Sequence, residues 1–120
     1  MFREILSEVL ERTEGCLGVL IMGFDGITVE EVWKAAKSAT NNVALAEYTS
    51  LLRNAQRINS ELGLAELQEM TFSGADEIFV LRVVNNDYFL AMILAADGNF
   101  GRGRYELHRI ELLLSKELEI

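Results

Sequence analysis

Apolar residues first recur at Phe2, Ile5, Leu6, Val9 and Leu10, with Arg3, Glu4, Glu8, Glu11 and Arg12 between them. That spacing predicts a short amphipathic helix ended near Gly15. Leu17–Gly23 (LGVLIMG) is then apolar at both parities, and Ile27–Trp33 (ITVEEVW) is β-prone. Asp25-Gly26 between the two runs signals a hairpin. KAAKSATNN reads as a loop, with Asn41 or Asn42 placed to cap the helix that follows.

The second helix is expected over Val43–Leu62, stopping at Gly63. Ala44, Tyr48, Leu51, Ala55, Ile58 and Leu62 form one apolar stripe, with Glu47, Asn54, Arg57 and Glu61 on the opposite side. Between them runs a flank of Leu45, Thr49, Arg53, Gln56 and Ser60, small or polar and lightly charged. AELQEMTF (65–72) is polar for a strand, and Ser73-Gly74-Ala75-Asp76 reads as a turn. EIFVLRVV (77–84) and DYFLAMILA (87–95), joined through Asn85-Asn86, are apolar on both faces and need cover on both. After a Gly-containing loop over 96–103, Leu107, Ile110, Leu114 and Leu118 mark a closing helix from about Arg104 to the end.

The order is helix, hairpin, helix, three-strand meander, helix. It predicts an α/β domain of the α+β type: a five-stranded antiparallel sheet with one helix on one face and the two terminal helices on the other. LGVLIMG, EIFVLRVV and DYFLAMILA should be central. ITVEEVW and AELQEMTF carry Glu30, Glu31, Glu66, Gln68 and Glu69 and should be edges. At 120 residues the chain has the length of one domain, without repeat or linker, and contains no proline.

Charge and chemistry narrow the function. The net charge of -8 disfavours nucleic acid as a partner. The charged N-terminus does not read as a signal peptide, and no apolar run approaches the ~18 residues of a membrane span. A cytoplasmic location without membrane insertion follows by elimination. Cys16 is the sole cysteine and His108 the sole histidine, so neither a disulfide, a metal cluster nor a nucleophilic relay has its parts. Glu30-Glu31 and Asp76-Glu77 read as charged edges rather than acid–base pairs. Gly98, Gly101 and Gly103 beside Arg102 and Arg104 faintly suggest an anion loop, but the phosphate-binding signatures are missing and an ordinary strand-to-helix connection fits better. No catalytic residue, cofactor or metal is expected. Binding of other proteins is the remaining role.

Two stretches, GCLGVLIMGFDGITVEEV and VLRVVNNDYFLAMILAADGNFGRGRYEL, in this order and spacing, resemble the roadblock/LC7 family of dynein light chains and GTPase regulators. The resemblance covers nearly the whole chain. It implies a homodimer made by pairing the third strand edge to edge and packing the second helices together. It also implies, as for MglB-like bacterial members, action on a small Ras-like GTPase as activator or scaffold. The family offers no catalytic motif to carry over. Arg53, Arg57, Arg102 and Arg104 are candidate trans-acting arginines. The flank Leu45, Thr49, Arg53, Gln56 and Ser60, with Glu66, Gln68 and Met70 at the polar edge, is the interface expected from the residues and the family together. On that expectation Thr49→Arg or Gln56→Arg weakens the dimer. A scaffold subunit without GTPase stimulation and a small-molecule sensor with an enclosed apolar cavity are the alternatives.

Overall fold

A computed structural model describes residues 1–118 of the chain, so Glu119 and Ile120, included in the expected closing helix, lie outside the described residues. The elements are α1 (Phe2–Arg12), β1 (Cys16–Gly23), β2 (Thr28–Trp33), α2 (Ala39–Glu61), β3 (Glu69–Ser73), β4 (Glu77–Val83), β5 (Tyr88–Ala95) and α3 (Phe100–Glu117). The five strands form one sheet in the order β2-β1-β5-β4-β3, and every pairing is antiparallel. β2 and β3 are therefore the edges, as their glutamates foretell.

The alternation of each strand divides the core into two layers. Val19, Ile21, Val80, Leu90, Met92 and Leu94 face α1 and α3, which contribute Leu6, Val9, Leu107, Ile110 and Leu114. Leu20, Phe79, Leu81, Phe89, Ala91 and Ile93 face α2, which contributes Leu45 and Leu52. The apolar-on-both-faces strands are thus covered on both faces, α2 alone on one side and the terminal helices on the other.

Three boundaries differ from the sequence reading, each for a local reason. α2 begins at Ala39, because the Ser38 hydroxyl accepts the Asn41 N–H at 3.0 Å and caps the helix, which leaves Asn41 and Asn42 inside the first turn. β3 begins at Glu69, and Leu64–Gln68 runs beside the sheet without strand pairing along most of its length. α3 begins at Phe100, capped by the Asn99 side chain on the Arg102 N–H at 3.0 Å. Gly101 and Gly103 are therefore helical. Gly103 is required by packing, since a Cβ there would stand 2.8 Å from the Met92 sulfur.

Gly98 serves a different close approach. The chain crosses Gly15 as it leaves β5, and the crossing is tied by Ala95 N–H to Gly15 O at 2.8 Å and Asn99 N–H to Glu14 O at 2.8 Å. The glycines of this loop are therefore explained by backbone crossing and helix packing.

A charged network fastens β3 to the rest of the sheet. Arg82 on β4 donates to Glu111 of α3 at 2.6 Å and reaches Glu69 of β3 at 3.4 Å, while Arg104 of α3 holds the second Glu69 oxygen at 2.7 Å. The Arg82 side chain is only 13% exposed. Replacing it by Met should cost about 2–3 kcal/mol, below the 3–5 typical of fully buried pairs because water still reaches the carboxylates. Chemical denaturation of Arg82→Met measures this.

Candidate functional site

α2 is rotated about its axis relative to the sequence reading. Leu45, Thr49 and Leu52 face the sheet and are 3%, 2% and 0% exposed. Thr49 is tolerated there because its hydroxyl donates to the Leu45 carbonyl at 2.6 Å, leaving only its methyl to pack. Tyr48 stacks on Phe72 of β3 at 4.0 Å and meets Phe79 edge-on at 5.0 Å. Leu45 and Thr49, expected at a partner interface, are instead part of this chain's own core. The expected effect of Thr49→Arg on dimerisation is corrected accordingly, since the substitution would first disrupt the helix–sheet packing.

The rotation carries another set of apolar side chains outward. Val43, Leu51, Ile58 and Leu62 are 63%, 48%, 41% and 68% exposed, and Leu64 just beyond the helix is 57% exposed. Positions 43, 47, 51, 54, 58 and 62 follow one another at three- and four-residue steps, so these side chains share one outward row. Arg53 and Ser60 lie exposed on this helix and Gln56 is half-buried. The legible signal was that α2 has more apolar positions than one stripe against a sheet can bury. Hydropathy alone assigned Leu51, Ile58 and Leu62 to the core in place of Leu45, Thr49 and Leu52, while Ala44 and Tyr48 of the expected stripe do pack against it.

The two sheet edges are unlike. Along β2, Lys34 N–H bonds Leu17 O and Gly23 N–H bonds Ile27 O, so the intervening alternation turns the Glu31 backbone toward the open side. Arg3 of α1 occupies it, donating to the Glu31 carbonyl and to the Glu30 carboxylate, each at 3.3 Å. Along β3, Val83 N–H bonds Gln68 O and Gly74 N–H bonds Glu77 O, so Glu69, Thr71 and Ser73 turn their backbone groups outward. Among the described residues nothing bonds those groups. Met70 is half-buried on the α2 side, while Glu66 and Gln68 are exposed on the approach to the strand. An open strand edge and an apolar helix row are therefore brought together at one end of the sheet, joined through Tyr48 and Phe72.

Catalytic chemistry finds little support in these positions. Cys16 is fully buried, and burial pushes its thiol up to about 11, only partly opposed by the Gly18 carbonyl. Its thiol should react with Ellman's reagent at pH 8 only at the rate at which the chain unfolds. Burial pushes the Glu31 carboxyl upward, but hydrogen bonds from Lys37 and Trp33 outweigh it and hold the group below the usual range, the wrong direction for a general acid. His108 is exposed on α3.

Of the four candidate trans-acting arginines, three are engaged within the chain. Arg57 pairs with Glu61 at 2.9 Å and Arg104 with Glu69 at 2.7 Å. Arg102 stands 3.2 Å from a Glu106 oxygen, though out of line for a hydrogen bond. Arg53 bonds only the Ser50 hydroxyl, at 3.4 Å, among the described residues. A cleft of about 530 Å³ lies between the end of α2, residues 64–68 and the β4–β5 turn. Gln56, Asn59, Ser60, Gln68, Asn85 and Asn86 give it a polar wall, unlike the enclosed apolar cavity that a small-molecule sensor needs.

No family model and no curated protein matches the chain. Among solved structures it is similar to MglC from Myxococcus xanthus, with 36% identity over 98% of each chain and a TM-score of 0.70. It also matches MglB in a tetrameric arrangement, at 19% identity over 95% of this chain and 85% of that one, with a TM-score of 0.83. The roadblock/LC7 domain from Streptomyces avermitilis matches at 10% identity over 98% and 97%, with a TM-score of 0.83.

Proposed function

Because the chain belongs to the roadblock/LC7 family, in the company of MglC and MglB, we propose that it is a homodimeric regulatory protein that binds a small Ras-like GTPase and modulates its GTP hydrolysis or its localisation. The observation that carries the dimer is the pairing, at one end of the sheet, of an unbonded β3 edge with the exposed row Val43, Leu51, Ile58 and Leu62. The tetrameric arrangement of a structural relative supports self-association of this fold. The partner class follows the family resemblance.

Geometry favours one register for the second copy. With the two-fold axis at Thr71, Thr71 faces Thr71 and Glu69 faces Ser73, so all three outward residues of each β3 exchange hydrogen bonds and no like charges meet. Shifting the axis to Met70 or Phe72 leaves one outward residue of each strand unpaired. The α2 rows then lie on the same side of the joined sheet, where close contact removes their apolar surface from water at roughly 25 cal/mol per Å².

A GTPase regulator without catalytic groups acts on its partner's conformation. With Arg57, Arg102 and Arg104 engaged in the chain, Arg53 is the one candidate left for delivery into the nucleotide site, and otherwise the protein acts by reshaping the GTPase switch region. The same engagement favours, as second reading, a scaffold that binds without changing turnover. Mixing the protein with a purified small Ras-like GTPase and following both complex formation and phosphate release separates them. Binding with a changed rate supports regulation, binding at an unchanged rate supports the scaffold, and the absence of binding removes the GTPase from the account. The site of action would be cytoplasmic.

A further inference from the structure

The row of α2 that faces the sheet changes character along its length. Leu45, Thr49 and Leu52 are continued at three- and four-residue steps by Gln56 and Asn59, both half-buried. Next to this end of the helix the β3–β4 ladder comes apart. Val83 N–H bonds Gln68 O at 2.8 Å, and in a regular antiparallel pair Gln68 N–H would return the bond to Val83 O. That return bond is not made. By the register of β3 on β4 the next inward pair would be Glu66 and Asn85, which do not bond either. Residues 64–68 and 83–86 are thus the two prongs of a fork, and the cleft of about 530 Å³ lies between them. Gln56 lines it from α2 and Glu111 from α3, so it passes from one layer of the fold to the other.

The fork holds main-chain groups without a partner. Among the described residues, nothing bonds the N–H groups of Ala65, Glu66, Leu67 and Gln68. The side chains carry the same chemistry. Gln56 makes no hydrogen bond among the described residues, and Asn59 spends one N–H on the Ala65 carbonyl at 3.2 Å. The Asn85 side-chain carbonyl takes the Asp87 and Tyr88 N–H groups and leaves its amino group free. Carboxamides offer both the donor and the acceptor that a peptide unit requires. Leu67, Val83 and Val84 add apolar lining. No Lys or Arg lines the cleft, so nothing there would hold an anion.

We propose that this fork is a binding site for an extended, uncharged segment of another protein. The segment enters as a short strand between residues 66–68 and 83–85 and pairs its main chain with both prongs. An apolar side chain at its middle meets Leu67, Val83 and Val84. A peptide is selected over a small polar molecule because the inward groups of Gln68 and Glu66 repeat at the two-residue period of a strand. The volume falls within the roughly 300–1,000 Å³ of ligand clefts. The proposed dimer uses other groups, the outward backbone of Glu69, Thr71 and Ser73 and the α2 row, none of which lines the cleft. The site therefore does not rest on the dimer.

The test is two-dimensional NMR of the isotope-labelled full chain with three blocked pentapeptides. One is Thr-Thr-Val-Thr-Thr, one has glutamates in place of the threonines, and one has prolines on both sides of the valine. The neutral probe should saturably shift the Gln68 and Asn85 backbone amides and the Gln56 and Asn59 side-chain amides. The proline probe lacks two main-chain donors and should bind about tenfold or more weakly, and the glutamate probe should also be weaker. Gln68→Pro removes an N–H that the chain's own sheet does not use and should weaken the neutral probe about fivefold. Gln56→Phe fills the cleft from α2 and should abolish binding. Thr71→Pro should lose the dimer and keep the probe, which separates failure of this site from failure of the dimer. No saturable shift with the neutral probe, equal binding of the proline probe, or binding unchanged in Gln56→Phe would overturn the proposal. Shifts of Gln68 and Asn85 with protein concentration alone, retained in Thr71→Pro, would give the fork to a second copy instead.

Discussion

Thr71→Pro should turn the proposed dimer into a folded monomer. Thr71 sits mid-strand on β3, and its N–H points away from β4, so proline there removes no hydrogen bond of the chain's own sheet. In the proposed dimer the same N–H donates to the Thr71 carbonyl of the second copy across the two-fold axis, and the reverse, so one substitution deletes two bonds and leaves two carbonyls facing ring carbons. At roughly 1 kcal/mol for each of the two lost bonds, and at least about 1 for each of the two acceptors left unpaired, the dimer should weaken by about 4 kcal/mol or more, on the order of a thousandfold in Kd.

Met70→Pro is the control. Its N–H belongs to the ladder with Leu81, so it should destabilise the fold itself by more than Thr71→Pro does. Sedimentation or light scattering over a concentration series, with a thermal melt beside it, reads both effects. A Thr71→Pro protein that stays dimeric would place the interface elsewhere. Ile58→Glu supplies an independent check on the helix row, because it puts a charge into the surface where two copies of α2 would meet.

Gly15→Ala should be among the most damaging single-methyl changes in the chain, costing about 2–5 kcal/mol. Gly15 has φ of 80°, a left-handed conformation that costs a Cβ-bearing residue roughly 1–2 kcal/mol. The Cβ would also stand 2.4 Å from Gly98 Cα. Its neighbour is backbone, fixed by the Ala95–Gly15 and Asn99–Glu14 hydrogen bonds, and cannot rotate away. Relief requires moving the start of α3, and overpacking of this kind costs 1–3 kcal/mol more. Gly103→Ala, by contrast, meets the flexible Met92 side chain and should cost about 1–2 kcal/mol. The two midpoints in urea decide. A Gly15→Ala change below that of Gly103→Ala would mean that the crossing yields.

The strands were readable because their apolar residues exceed what any one-sided sheet could hide, and the edges because Glu30, Glu31 and Glu69 could not lie between two strands. Helix boundaries were less legible. Ser38 competes for the cap with two asparagines nearby, and Gly101 and Gly103 look like loop residues until Met92 is seen to press on the helix. The main error concerned α2. Thr49 counts as polar along a sequence, yet with its hydroxyl bonded to Leu45 O it packs as a hydrocarbon. Leu51 and Ile58 count as core, yet they face outward. The β3 edge was foreseen, whereas the helix row beside it was hidden by the same apolar character that marks a core.

The most direct test of the central claim is the mass of the complex formed with a small Ras-like GTPase encoded in the same genome, taken with the parent protein and with Thr71→Pro. The parent should give a complex with the mass of a dimer plus GTPase, and Thr71→Pro should give free monomer and free GTPase. Free components with the parent protein at tens of micromolar would contradict the account, and so would an equally tight complex with the monomeric variant.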